Sequence, residues 1–367
     1  MSKAAVAVAS VPLQFTIGQT KVSKKDLADL LEAYPTDFVS IVIFNTPDPD
    51  ALASALALSY LLKQHDVKSK IFCQKEISHP NNQAMVNHLD ISLHSFKELP
   101  SKDKNNYYAI VDFPYQEVPA RPDLKCLIHV DHHKEDQGQS AAIYQHVDIS
   151  VGACATLMVE YLKAFELKDT KQFSKIALGL AYGIYVDTTA FQQATPRDFE
   201  ALSYLRSFYD PDQLQNLAHA KQSAQTMEVV KKALEHNQLK GTFAYSGIGY
   251  ISSDFRDSLA IAADFLLTQQ GTSCVLVFAI VEDETGDYVN GCFRTNDSAI
   301  DVQKFMQSFI VNGTGGGRKT AGGFQEPLGF FAESKNKEKI WDLVRGVVEE
   351  KIKPKITLTK AEEATRG

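Results

Sequence analysis

The chain has 367 residues, of which 44% are hydrophobic and 23% charged, and its formal net charge is −7. That length exceeds what one hydrophobic core usually serves, so two domains are expected, with the composition of a soluble globular protein. The acidic balance excludes a general electrostatic pull toward nucleic acid, so any polyanion must be held by a local basic site or by metal ions.

The first element is the apolar, β-branched run Phe38 to Phe44, which reads as a buried strand. Thr46-Pro47-Asp48-Pro49-Asp50 breaks that pattern, because proline cannot continue a ladder. Ala51 to Leu62 follows with helical spacing, giving the strand, acidic turn and helix of a parallel α/β unit. Further strands are predicted at Lys68 to Cys73, at Tyr107 to Phe113 with Asp112 near its end, and at Lys125 to Val130, which runs into Asp131-His132-His133. Helices are predicted at Ala153 to Phe165, Phe173 to Asp187, Asp198 to Arg206 and Asp212 to His236.

The composition then shifts. Strands are predicted at Gly241 to Ser252, Ser273 to Glu282 and Asp287 to Arg294, with a helix at Ser258 to Gln269 and a hairpin turn at Glu284 to Asp287. A glycine-rich loop, Gly313 to Gly323, precedes a last helix from about Glu333 to Lys351. The expected fold class is α/β: a Rossmann-like parallel-sheet domain over residues 20–210, a helical linker over 211–238, a smaller mixed α/β domain over 239–352, and a flexible tail over 353–367. The active site is expected in the cleft between the two domains.

The five cysteines are far apart, odd in number and contain no Cys-x-x-Cys pair, which argues against a disulfide framework or a structural zinc site. They fit a reducing, cytoplasmic compartment. No apolar run reaches the ~18 residues of a membrane span. The start, MSKAAVAVASVPLQF, reads as a loose leader rather than a signal peptide.

Acidic residues and histidines recur at the C-terminal ends of the predicted parallel strands, the edge where ligands bind in open α/β sheets. A single aspartate there is usually a turn residue or a helix cap; several on one edge suit Mn²⁺ or Mg²⁺. Clustered carboxylates without a cation would raise one another's pKa.

Asp48-Pro49-Asp50-Ala51-Leu52-Ala53-Ser54, Val111-Asp112, Asp131-His132-His133 and Val186-Asp187-Thr188 resemble, in order, the four motifs of the DHH phosphoesterase superfamily. Gly315-Gly316-Gly317-Arg318-Lys319-Thr320-Ala321-Gly322-Gly323 resembles the signature of the DHH-associated C-terminal domain. The motifs span Phe38 to Phe324, and the RecJ-like and nano-RNase-like branch is the one resembled. The resemblance implies a metal-dependent phosphoesterase with two ions, Mn²⁺ or Mg²⁺. Asp112 would bridge them; Asp50, His132 and Asp187 would complete one, and Asp48 would ligate the other. His133 would touch the phosphate, Asp131 would support its neighbours, and Arg294, Gly316, Gly317 and Arg318 would hold the substrate. His79 and Asn82, after the second strand, are candidates for touching a phosphate or supporting a ligand, against the plainer reading of a polar loop and helix cap.

Two positions depart from the family pattern. The histidine four residues before the first aspartate is Phe44 here, and the histidine after the glycines is Arg318, which can still bind phosphate. The expected substrates are short oligonucleotides, dinucleotides or small nucleotides, by exclusion of a long-polymer binding module. A homodimer is allowed, and no membrane partner is expected. The alternatives are a pyrophosphatase, an adenosine bisphosphate phosphatase, or a nucleotide-binding sensor or scaffold with a degenerate metal site.

Overall fold

The computed structural model describes residues 24–44, 47–77, 79–100, 107–115, 124–133, 141–165, 171–219, 221–317 and 320–366. They fall in two compact units that divide between Ala220 and Lys221.

The first unit is built on six strands: β1 (Phe38–Ile43), β2 (Lys68–Cys73), β3 (Leu93–Ser95), β4 (Tyr107–Val111), β5 (Lys125–Asp131) and β6 (Tyr144–Val147). They form one sheet in the order β3-β2-β1-β4-β5-β6, and every pairing is parallel. β3 and β6 escape the sequence reading because they are edge strands of three and four residues, too short to show a period. The helices are α1 (Lys24–Ala33), α2 (Pro49–Lys63), α3 (Pro80–Leu89), α4 (Cys154–Ala164), α5 (Lys171–Asp187), α6 (Pro196–Leu205) and α7 (Pro211–Ala218).

The alternation of β1 sorts its side chains between two cores. Val39, Ile41 and Ile43 pack with α2, α4 and α5, whereas Val42 and Phe44 join an aromatic cluster with Phe72, Tyr108, Ile110 and Phe113. A strand buried on both faces accounts for the unbroken apolar run.

The second unit holds β7 (Gln238–Lys240), β8 (Phe243–Ser252), β9 (Cys274–Glu282), β10 (Tyr288–Thr295), β11 (Thr314–Gly317) and β12 (Ala321–Pro327) in the order β11-β12-β10-β9-β8-β7. The β8–β9 pair is parallel and the others are antiparallel, so this sheet is mixed. Its helices are α8 (Ala224–Glu235), α9 (Ser258–Leu267), α10 (Val302–Gln307) and α11 (Lys337–Arg366). Phe243, Phe278 and Phe293 pack with Phe305 and Trp341 of α10 and α11 on one face. Val275, Val277 and Val281 pack with Leu259, Ala262 and Leu266 of α9 on the other.

Three local expectations differ from the structure. The glycine-rich stretch read as a loop is the β11–β12 hairpin, with Gly315 opposite Phe324 and Gly317 opposite Gly322. Without side chains glycines carry no alternation, yet their amides and carbonyls still pair. The single helix expected over Asp212 to His236 is α7 and α8, each with its own capping residue, Asp210 and Ser223. The last helix runs past Lys351 to Arg366, with Pro354 inside it. No helix among the described residues is long and apolar enough to cross a membrane.

Candidate metal centre

β1 and β4 are neighbours in the sheet, although β2 and β3 lie between them in the chain. Strand order reverses there, and the crevice beyond the carboxyl ends of such strands is where open α/β sheets bind ligands. Asp48 and Asp50 follow β1, Asp112 follows β4, Asp131 ends β5, and His132 and His133 follow it.

Asp48 caps α2. Its Oδ1 accepts from the Ala51 amide at 2.9 Å, and Pro49 occupies the first helical position, where a missing N–H costs nothing. Asp50, the second residue of α2, is almost fully buried and caps a different helix. Its Oδ2 accepts from Cys154 N at 2.6 Å and its Oδ1 from Ala155 N at 2.7 Å. The residue preceding α4 is Ala153, which has no side chain to do this. Asp50 therefore satisfies two orphan amides of α4 across 104 residues of chain, and the positive end of that helix faces its charge.

Asp112 follows β4 with a left-handed backbone, φ 54°, and its amide still donates to Val130 O at 2.9 Å. A non-glycine residue in that region is disfavoured by about 1 kcal/mol or more and turns up at functional sites. Asp187 is the last residue of α5.

These groups converge on His132. Its Nε2 lies 3.1 Å from Asp187 Oδ2, 3.3 Å from Asp112 Oδ1 and 3.9 Å from Asp50 Oδ2. His133 Nδ1 is 2.7 Å from Asp131 Oδ1 and 3.8 Å from Asp112 Oδ1. The ligand atoms of Asp50, His132 and Asp187 form one group within 4.8 Å, and those of Asp112, His132 and His133 form another. The structure thus brings Asp50, Asp112, His132, His133 and Asp187 together. Asp48 belongs to neither group, but its charge bears on both Asp50 and Asp112.

The electrostatics are those of a crowded, largely buried site. Burial, then the charges of Asp112 and Asp187, push the Asp50 carboxyl well above its usual range. Burial and the charge of Asp48 do the same to Asp112, against the adjoining His132 imidazole. Burial works against the charge on His132, but Asp112, Asp187 and Asp50 hold its pKa well above the ordinary histidine value. Asp131 behaves oppositely. Burial opposes its charge, yet the His133 hydrogen bond and the nearby imidazoles hold it below the carboxylate range.

Among the described residues, Asp112 Oδ1, His132 Nε2, His133 Nε2 and Asp131 Oδ2 are buried without a hydrogen-bond partner. A buried polar atom left with no partner at all costs about 1–3 kcal/mol, and here the ion-pair contacts of His132 with Asp112 and Asp187 offset part of that. Three of these atoms are on residues of the two convergent groups, so the donor set fits a divalent cation, whose charge would offset the carboxylate repulsion.

The other predicted residues are placed as follows. Asn82, largely buried on α3, donates from Nδ2 to Pro47 O at 2.8 Å and so braces the turn that carries Asp48. His79 caps α3, its Nδ1 accepting from the Asn81 amide at 3.2 Å. Phe44, standing where the family pattern has histidine, is buried with its ring 5.2 Å from that of Phe113 and 6.0 Å from that of Phe96. In the second unit, Arg294 Nε donates to Asp264 Oδ1 of α9 at 2.6 Å, and Gly317 N donates to Gln303 Oε1 of α10 at 2.7 Å. A Cβ on Gly317 would stand 2.4 Å from Val302 Cγ1, so these glycines let α10 lie directly on the hairpin. Gly316 pairs with Gly323 across the hairpin. Arg318 lies outside the described residues.

The sequence reading missed the amides of Cys154 and Ala155, whose role depends on three-dimensional proximity. It also missed Thr195 as the cap of α6, although Thr195-Pro196-Arg197-Asp198 is a capping-box pattern with proline at the first helical position.

The sheet order and the carboxylate–imidazole cluster define a parallel α/β protein whose sheet edge carries side chains that could hold a cation. The DHH family, N-terminal domain, matches residues 39–184, and the DHHA1 domain matches residues 240–350. The chain belongs to the DHH phosphoesterase superfamily, with a DHHA1 domain following the DHH domain. It is 35% identical over 316 residues to the uncharacterized protein MJ1633 of Methanocaldococcus jannaschii, a match covering 84% of this chain and 61% of that protein. It thus spans less than two thirds of that relative's length. The uncharacterized protein MJ0988 of the same organism is 22% identical over 325 residues, covering 85% of this chain and 93% of that protein. An exopolyphosphatase-related protein from Bacteroides fragilis shares the fold, with a TM-score of 0.63, 16% identity, and coverage of 93% of this chain and 100% of that one.

Proposed function

We propose that this chain is a metal-dependent phosphoesterase that hydrolyses phosphodiester or phosphate-ester bonds of short oligonucleotides, dinucleotides or small nucleotides. The observation that carries the reading is His132 Nε2, buried without a hydrogen-bond partner and 3.1–3.3 Å from oxygens of Asp187 and Asp112. Asp50, Asp112, His132 and Asp187 would hold the cation, with Mn²⁺ the first choice and Mg²⁺ the second. Two ions are proposed, Asp112 being shared and Asp48 serving the ion nearer Phe44. When bound, such ions supply Lewis-acid activation of water and neutralise charge on the phosphoryl group.

The chain's own residues do the rest. Asp131 fixes the His133 ring through Nδ1, which leaves Nε2 to meet a phosphate oxygen or move a proton. Asp50 is oriented by the amides of Cys154 and Ala155, so its direction is set before anything binds. Arg294, Arg318 and the glycine hairpin are proposed to hold the substrate.

The second reading, a nucleotide-binding sensor or scaffold without turnover, is favoured by one observation: Phe44 gives an apolar ring where the family pattern has a ligand. A hydrolysis panel with Mn²⁺ and with EDTA separates the two. It would contain linear and cyclic dinucleotides, short RNA and DNA oligomers, adenosine bisphosphate and pyrophosphate. EDTA-sensitive cleavage of a nucleotide class sustains the enzyme. Silence across the panel from folded protein sustains the binding protein.

A further inference from the structure

The chain that leaves Asp187 folds back onto the start of α4. Thr189, Ala190 and Phe191 all take left-handed backbone, with φ 53°, 52° and 68°. Side chains with a Cβ disfavour that conformation, and such a turn persists only where its surroundings over-determine it.

The surroundings include Asp198, fully buried on α6. Its Oδ2 accepts from Thr195 N at 2.6 Å, and its Oδ1 from Thr156 Oγ1 at 2.5 Å. Gly152 N donates to both oxygens, at 3.1 and 3.0 Å. One carboxylate thereby ties the end of the Asp187 turn, the approach to α4 and the first turn of α4. A capping box alone would need only Thr195. The fit is close, since a Cβ on Gly152 would stand 2.6 Å from Thr188 Cγ2 and 2.7 Å from Asp198 Oδ2. Beside it, Arg197 grips Glu160 through two bonds of 2.9 and 2.8 Å, and its Nη1 donates to Asp148 at 2.5 Å.

Both segments that Asp198 joins lead to the site. The first amides of α4 hold Asp50, and the strained turn begins at Asp187. We propose that Asp198 is a positioning residue for the metal-holding cluster, setting Asp50 through the start of α4 and Asp187 through the turn that ends at Thr195. This inference rests on the reading of Asp50 and Asp187 as metal ligands.

The test is Mn²⁺ titration of the metal-free full chain by calorimetry, with amide hydrogen exchange at Cys154 and Ala155 measured on the same samples. Asp198→Asn keeps the shape but turns an NH₂ group toward existing donors. It should weaken Mn²⁺ binding about tenfold or more, as loss of a supporting partner does elsewhere, and speed exchange at both amides. Thr156→Val, which deletes one bond to Asp198, should shift both readouts the same way by less, and it serves if Asp198→Asn does not fold. Leu30→Ala in α1 supplies a loss of stability from a helix that carries no site residue, and should leave Mn²⁺ affinity unchanged. Wild-type affinity and exchange in the Asp198 and Thr156 variants would overturn the proposal, as would equal weakening by Leu30→Ala. If the wild type binds no Mn²⁺, the metal reading fails and exchange alone decides. Faster exchange at Cys154 and Ala155 than in Leu30→Ala sustains the positioning role, and no difference ends it.

Discussion

The carboxyl edge of the parallel sheet and the glycine hairpin of the mixed sheet contain the same kind of residue, polar groups named by motif, and treat them oppositely. At the sheet edge, Asp112 Oδ1, His132 Nε2 and His133 Nε2 are buried without hydrogen-bond partners. At the hairpin, Gly317 N is bonded to Gln303 and Arg294 to Asp264. Buried polar atoms without hydrogen bonds are costly unless something else compensates them, and the cation proposed for the first region would do so. In the second, Gly317 N and Arg294 Nε already have partners, and anything those two groups bind must compete with them.

The largest expected effect breaks the first region. Asp112→Ala should lower Mn²⁺-dependent hydrolysis by about a thousandfold or more, the scale of losing metal-assisted charge stabilisation. Thermal melts in EDTA should show no loss of stability, because the substitution removes a buried charge repelled by its neighbours. Undiminished turnover would rule out the proposed centre.

The next prediction sharpens the aromatic side of the same edge. Phe44→His should lower stability by about 2 kcal/mol, since it puts ring nitrogens into the cluster of Val42, Phe72, Ile110 and Phe113. Denaturant melts measure this, and an unchanged midpoint would mean that the position opens toward water instead.

For the hairpin unit the effect is smaller. Asp264→Ala frees Arg294 from an exposed pair worth about 0–1 kcal/mol, so KM should fall by no more than about fivefold with kcat unchanged. A rise in KM would show that Asp264 orients Arg294 rather than competing for it.

The last contrast is between paired and unpaired carboxylates inside the first unit. Burial opposes the charge on Asp148, but the Arg197 and Ser150 hydrogen bonds hold its pKa down to about 2. A depressed folded-state pKa gives stability that is present in full above the unfolded value of ~3.9 and is lost as pH falls toward about 2. Melts between those limits should therefore be steeper in pH for wild type than for Asp148→Asn, and equal slopes would remove the Arg197 pairing as their cause.

Much of the site was legible in the sequence, because chemistry and chain direction coincide there. Prolines 47 and 49 end β1, and the acidic residues that follow can only lie at its carboxyl end. Asp131-His132-His133 likewise terminates an apolar strand. The support structure was illegible for physical reasons. Asp50 bonds to amides 104 residues away, and Asp198 bonds to one 46 residues away, through backbone groups that every residue carries. The glycine hairpin misled because glycines conceal the alternation that marks a strand. The edge strands β3 and β6 were too short to register.

The most direct test of the central claim is a Mn²⁺ titration of the metal-free chain and of Asp112→Ala by calorimetry. The cluster predicts saturable binding to the wild type and none to the variant. Equal binding by both, or none by the wild type, would contradict it.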